Sequence, residues 1–369
     1  MDMNSEKICR DWLVLTQAKG IGPSLCNKLL LEYKTPKNIL ACDYRQLVDF
    51  GLNKTSVESL QSPDEIKIDR VLNWLDQPNN HFITSHDVDY PELLKSIYAA
   101  PPILFATGQR KILNNLHFAI VGSRNPSTGG RSLAQDFASE LASLGLTICS
   151  GMALGIDYHS HLGALNAECP TIAVLGNGLD IVYPARHKKI AHQIAENGLL
   201  LSEYLPGTKP TAGNFPQRNR IISGMSTGVL VVEAAKKSGS LITAHYALEQ
   251  GRDVFAIPSS IHNPLARGTH SLIKQGAKLV ETVNDILEEI SPIASVVLNK
   301  STNTNEHDDF DLEQDYKLLL DTMGFDVVTV DYLVKSLGLT PDVVSSMLLI
   351  LELQGMIESK HGGKYCRCL

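Results

Sequence analysis

His117-Phe118-Ala119-Ile120-Val121-Gly122-Ser123-Arg124-Asn125-Pro126-Ser127-Thr128-Gly129-Gly130 decides the fold of this chain. An apolar run, His117–Gly122, ends in a glycine-rich loop, and a helical pattern follows at about 131–144. The unit then repeats. Further strand-like runs lie at Leu146–Ser150, Thr171–Gly176, Leu199–Glu203, Gly228–Glu233, Asp253–Pro258 and Ala277–Val280. Helical patterns separate them at about 157–168, 187–197, 219–224, 240–250 and 269–275. Strands that are apolar on both faces, alternating with helices, make a parallel sheet covered on both sides. The expectation is an α/β fold: an extended Rossmann-like, doubly wound parallel sheet within a domain at 77–290. Residues 77–116 read as a connecting layer, with short strands at His81–Thr84 and Pro101–Ala106.

The flanks differ in pattern. Residues 1–76 read as short helices, with Ile8–Ala18 and Ser24–Glu32 joined through Lys19-Gly20-Ile21-Gly22-Pro23. A helix, a Gly-apolar-Gly turn and a second helix match a helix-hairpin-helix, whose turn offers N–H groups to a phosphate. They equally match a plain hairpin with a glycine cap. Residues 291–315 form an acidic linker, in which Glu306, Asp308, Asp309, Asp311, Glu313 and Asp315 follow one another with no Lys or Arg between them. At 316–369, helices at Tyr316–Met323, Thr329–Leu337 and Pro341–Gln354 precede a hairpin, the order of a winged helix. The last helix carries no Lys or Arg from Asp342 to Gln354, and only Lys360 and Lys364 in the wing are basic. That favours a protein-contact or structural role over DNA reading.

Composition narrows the classes. The chain has 369 residues, too many for one ordinary core, and it is 43% hydrophobic and 20% charged, as globular proteins are. A net charge of -7 confines any anion binding to a local basic cluster. Met1–Arg10 is polar without a signal pattern, and no apolar run approaches the ~20 residues of a membrane span. The 7 cysteines form no CxxC pair and no Cys/His cluster at zinc spacing, so reduced cytosolic thiols and no metal are expected.

In an open parallel sheet, ligands bind outside the carboxyl ends of the strands. Four loops there carry chemistry. The first, Val121–Gly130, presents backbone N–H groups and a helix N-terminus to an anion, with Arg124 adding a forked donor. It is not GxGxxG, and no acidic residue follows the second strand, so a dinucleotide cofactor is disfavoured and no cofactor is expected. Arg124 could instead pair with Asp157. The second loop, Ser150–Asp157, sets Asp157 one turn from His161; an acid/base pair is conceivable, but a helix-start carboxylate and an exposed histidine fit better. The third holds Arg186, Lys188 and Lys189, the densest basic cluster. The fourth, Glu233–Thr243, adds Lys236 or Lys237 and a capping Ser238 or Ser240.

Between these loops runs Asn214-Phe215-Pro216-Gln217-Arg218-Asn219-Arg220-Ile221-Ile222-Ser223-Gly224. By itself it is either a packed turn with structural arginines or a place where a base stacks on Phe215 while Arg218 and Arg220 hold phosphates. Five or more basic groups along one edge exceed what a mononucleotide needs. With aromatics at 6%, a narrow basic track carrying one stacking ring points to single-stranded DNA held through its backbone. The two asparagines read as fixing loop backbone.

At these loops the sequence resembles the DNA-processing protein A (DprA/Smf) family. The matching stretches are Val121–Arg124, Ser150–Asp157, Ser202–Tyr204, Phe215–Gly224, Ser238–Ala244 and Gly251–Pro258. Ser259 departs from the pattern, since many members have glycine after the proline. The resemblance implies a bacterial cytosolic protein of natural transformation that binds and protects incoming single-stranded DNA and loads the RecA recombinase onto it. It also implies a sterile-alpha-motif-like (SAM-like) N-terminal domain, a homodimer through the Rossmann-like domain, and no catalytic turnover. Together with the loop chemistry it makes Gly122, Ser123, Arg124, Arg186, Lys188 and Lys189 candidate DNA-binding residues, with Phe215, Arg218, Asn219, Arg220, Lys237 and Ser240. The family's dimer and RecA surface carries over to the stretch with Thr269, His270, Leu272, Ile273 and Gln275. On this reading, glutamate at both Arg124 and Arg218 abolishes binding with the fold intact, and a charge at Leu272 or Ile273 breaks the dimer.

A competing enzyme reading is a nucleoside-monophosphate phosphoribohydrolase of the related lysine-decarboxylase-like fold. That family carries PGGxGTxxE before a helix. Ser238–His245 lacks the double glycine and has His245 where the glutamate would stabilise the sugar cation. A third reading, a duplex-DNA regulator acting through the winged helix, meets the missing basic residues of its last helix.

Overall fold

The computed structural model describes residues 3–290, 316, 319–320, 322–323, 328–353, 357–360 and 364–367. The acidic stretch 291–315, most of 316–327 and the wing tip lie outside the described residues. The chain divides into two compact units, 1–301 and 302–369. No helix among the described residues is long and apolar enough to cross a membrane.

The first unit is built on one nine-stranded sheet. Its strands are β1 (Asn80–Thr84), β2 (Ile103–Gly108), β3 (His117–Val121), β4 (Thr147–Ser150) and β5 (Thr171–Val174), followed by β6 (Leu199–Ser202), β7 (Ser226–Val231), β8 (Asp253–Ala256) and β9 (Lys278–Leu279). Their order is β1-β2-β6-β5-β4-β3-β7-β8-β9. From β6 to β9 every pairing is parallel. β2 joins β6 antiparallel, and β1 joins β2. The segment expected to be a connecting layer therefore extends the sheet. Its strands pair antiparallel and lack a flanking βαβ period, which is why the sequence does not show this.

Period-2 alternation divides the strand side chains between two cores. Phe118 and Ile120 of β3 face a core with Phe137 and Leu141 of α8 (Thr128–Ser143) and Ile156 of α9 (Ile156–Asn166). Ala119 and Val121 face the other core, with Ile221 and Ile222 of α11 (Asn214–Met225) and Ala244 of α12 (Ser240–Glu249). Helices α1 (Met3–Gln17), α2 (Pro23–Tyr33), α3 (Pro36–Leu40), α4 (Tyr44–Asp49), α5 (Lys54–Gln61) and α6 (Glu65–Leu75) share a core with Phe105, Ala173 and Leu200 of the sheet, while Leu94 of α7 (Glu92–Lys95) joins the core of α11. Trp74 meets Phe105 edge-on at 5.9 Å. In the hairpin at Gly20, Ile21 N–H donates to Ala18 O and Lys19 N–H to Ser59 Oγ, so those amides are already engaged. The plain hairpin is the reading this supports.

In the second unit a three-stranded sheet orders Val328–Thr329, Lys364–Arg367 and Ile357–Lys360. Helices Val330–Leu337 and Pro341–Leu353 pack on it through Leu333, Val344, Leu348 and Ile357. Helix, helix and hairpin in this order form a winged helix.

Candidate nucleic-acid interface

Sheet order reverses between β3 and β7: β3 to β6 run one way, β7 to β9 the other. Loops leaving the carboxyl ends of adjacent strands at such a reversal part company and leave a crevice. Here it is a cavity of about 610 Å³. Gly122, Ser123 and Arg124 line it from the loop after β3, Ala153 from the loop after β4 and Asp157 from the first turn of α9. Tyr183 comes from the loop after β5, Phe215 and Arg218 from α11, and Ser240 and Thr243 from α12.

The stretch 214–224, open to a packed-turn reading, is helical. Pro216 falls in the first turn, where a missing N–H costs nothing. The helical period then sorts its side chains. Phe215, Arg218, Asn219 and Ile222 share the cavity face. Arg220 does not line it: its guanidinium pairs with Glu203, and both side chains are largely buried. Burial holds the Glu203 carboxyl above its ordinary range, opposed by Arg220. Arg220 is therefore corrected from a phosphate donor to a structural ion pair.

Arg218 lines the cavity but is only 4% exposed. Its Nη1 donates to Gly151 O at 2.6 Å and to Val174 O, binding α11 to the ends of β4 and β5. Across Gly151 stands Asp157, whose carboxylate accepts from Gly151 N–H at 3.1 Å and Ala153 N–H at 3.2 Å. A Cβ at Gly151 would lie 2.6 Å from the Arg218 guanidinium and 2.7 Å from the Asp157 carboxylate, so only glycine fits. Burial pushes Asp157 up, opposed mainly by Arg218, and pushes Arg218 down, opposed mainly by Asp157. The expectation that Arg218 could be reversed in charge with the fold intact is thereby corrected.

Arg124 is exposed and, among the described residues, in no ion pair; the alternative of a pairing with Asp157 is not realised. Its guanidinium sits 5.9 Å from the centre of the Phe215 ring, within cation–π range. Tyr183 lies on Phe215 at 5.6 Å, with the planes 31° apart. Two rings and a free cation thus meet at the mouth. Sequence reasoning missed Tyr183, because after Ile181 and Val182 it reads as a core aromatic; it is 47% exposed.

The helix N-terminus expected to take an anion is already filled. Glu233, buried at the end of the strand run through β7, accepts from Ser127 N–H at 2.8 Å and Ser127 Oγ at 2.7 Å. Gly130 clears it: a Cβ there would lie 2.5 Å from the carboxylate. The protein's own carboxylate has taken the positive end of α8. Ser123 N–H is spent as well, on Glu233 O at 2.7 Å.

The remaining candidates scatter. Arg186 lines a neighbouring cavity, whereas Lys188 and Lys189, on the first turn of α10 (Lys188–Asn197), and Lys237 are exposed outside both. Ser240 is buried with its Oγ 2.8 Å from that of Ser238. The asparagines fix backbone: Asn214 donates to Gly176 O at 3.0 Å and Asn219 to Gly239 O at 3.4 Å. His161, expected to be exposed, is fully buried. Thr171 Oγ1 donates to Ile148 O, so His161 Nδ1–H donates to Thr171 and Nε2 is left without a partner. Burial first, then His187 and Arg218, push it down to about 3, so it is neutral and no base for Asp157. Among the described residues no His, Cys, Asp and Glu gather as a metal site would require.

On α13 (Arg267–Lys274), Thr269 and Leu272 point into the core, 0% and 2% exposed. Neither can meet a partner, which corrects their assignment to an interface. His270, Ile273 and Gln275 are at least partly exposed. Leu272→Asp is expected to unfold rather than split an assembly, costing at least about 3 kcal/mol for a lost buried leucine and a desolvated carboxylate. Urea melts would check this; a wild-type midpoint would contradict it.

Comparison with known proteins places the fold in a family. The family described as DNA recombination-mediator protein A matches residues 81–291, and the DprA winged helix domain matches 304–363. Protein Smf of Escherichia coli (strain K12) is 42% identical over 315 residues, 85% of this chain and 84% of its own length. The DNA processing protein DprA of Streptococcus pneumoniae is 47% identical over 200 residues, 54% of this chain and 71% of its own. The X-ray structure of DprA from Streptococcus pneumoniae superposes with a TM-score of 0.67 at 37% identity, covering 78% of this chain and 99% of that one. A Helicobacter pylori DNA processing protein A structure concerned with its single-stranded DNA binding mode gives 0.52 at 30% identity, over 58% of this chain and 97% of that one. Sequence and fold agree: the chain belongs to the DNA recombination-mediator protein A (DprA/Smf) family.

Proposed function

We propose that this chain grips single-stranded DNA in the crevice between β3 and β7, protects it, and loads RecA recombinase onto it during natural transformation. The observation that carries the reading is Arg124, in no ion pair among the described residues, beside the Phe215 and Tyr183 rings at the cavity. A cation beside stacked rings suits a nucleotide phosphate with its base on an aromatic platform and asks little of base identity. Work in the cytoplasm as a homodimer, through the exposed side of α13, belongs to the same proposal. So does the absence of turnover: His245 stands where the hydrolases have their glutamate, and Asp157 and His161 are locked into backbone and core.

Polarisation of a labelled oligonucleotide, as single strand and as duplex, tests the reading. Phe215→Ala is expected to weaken single-strand binding by roughly 5- to 150-fold, the worth of one stacked base. Equal affinity for both forms, with Phe215→Ala indistinguishable from wild type, would sink it. RecA loading is checked separately, by RecA ATPase on DNA precoated with single-strand-binding protein; no stimulation would remove that part alone.

A further inference from the structure

A second cavity, of about 410 Å³, adjoins the crevice, and Arg124 and Asn125 line both. Arg131 and Arg186 stand on its rim with Arg124, and no carboxylate lines it. Among the described residues none of these three guanidiniums is in an ion pair. On a chain of net charge -7 this is a local concentration of uncompensated cations.

Its wall is aromatic. Tyr158 lies on His187 at 4.9 Å with the planes 32° apart, and meets His159 edge-on at 5.2 Å. His187 is buried, and its Nδ1–H donates to Met152 O at 3.0 Å, so the ring under Tyr158 is held from below. His159 Nδ1 is buried and has no partner. Cations with a supported ring beside them repeat the chemistry of Arg124, Phe215 and Tyr183, one cavity further along.

We propose that this second cavity is the adjoining subsite for the same strand. It takes the nucleotide next to the one over Phe215, with its phosphate on Arg131 and Arg186 and its base against Tyr158, while Arg124 stands between the two. The inference rests on the single-strand reading above and adds to it a direction, from Phe215 across Arg124 toward the start of α8 and the Arg186 turn.

The test uses the full chain and an oligothymidylate longer than about 16 nucleotides, enough to fill such a site. Arg131→Gln is expected to weaken binding several-fold and to flatten the slope of log affinity against log salt by about 0.7, one single-strand phosphate contact. Tyr158→Leu is expected to weaken it at least about fivefold with the slope unchanged, and Tyr158→Phe to restore it, since only the ring is used. With one 5-iodouracil moved along the strand, crosslinks to Tyr158 are expected from a position beside the one that crosslinks to Phe215. If Phe215→Ala weakens binding while Arg131→Gln and Tyr158→Leu keep wild-type affinity and slope, the second subsite is overturned and the crevice stands. If Arg131→Gln weakens only thymidine monophosphate or inorganic phosphate, the cavity is a mononucleotide or anion site and the proposal fails. If the wild-type chain binds no single strand, the functional reading itself falls.

Discussion

Arg124→Glu is expected to lower single-strand affinity at least about a hundredfold at low salt, about 2.8 kcal/mol, with an unchanged melting midpoint. Its side chain is exposed and, among the described residues, in no ion pair, so reversing its charge breaks no salt bridge of the fold. Reversal removes the proposed phosphate contact at the point both cavities share and sets an anion beside the Phe215 ring. Gel shifts at two salt concentrations measure it. Wild-type affinity at both would remove the phosphate track altogether, since no other guanidinium lines both cavities.

Arg218→Glu is expected to fail earlier, in folding, by about 3–5 kcal/mol, the cost of breaking a buried charge arrangement. The new carboxylate would face the Gly151 and Val174 carbonyls and lie across Gly151 from Asp157, so acceptors and a like charge would surround the place where a guanidinium now donates. Urea unfolding followed by circular dichroism reads this directly. A variant that melts like wild type yet no longer binds DNA would instead make Arg218 a strand contact. The two arginines therefore need separate substitution; changed together, loss of binding would not tell a lost contact from a lost fold.

Much of this was legible in the chain because it is local. The strand–loop–helix at 117–144 and its repeats name the sheet, and the strands from β3 to β9 match their runs within a few residues. Arg124 and Phe215 could be singled out by type and place. The phase of 214–224 could not: arginine, asparagine and proline hide its helical period, so Arg218 and Arg220 looked alike although they project from different sides of α11. Leu272 and Thr269 were misplaced for a related reason, since a short amphipathic helix does not say which partner covers its apolar stripe.

What local pattern establishes here is the parallel sheet, the crevice at the strand ends and the residue types around it. Strand and helix periods are written in neighbouring residues, and sheet order restricts where the loops gather. Which charges remain available to DNA was set by distant partners. Arg218 finds carbonyls 67 and 44 residues away, Glu233 reaches a serine 106 residues earlier, and Arg220 meets Glu203. A buried polar group goes to whatever acceptor or donor the packed chain brings to it, because leaving it unpaired costs more than the bond returns. Those encounters arise when β4, β5, β7 and α11 come together, and they leave Arg124 free while taking Arg218, Arg220 and the start of α8 for the protein itself.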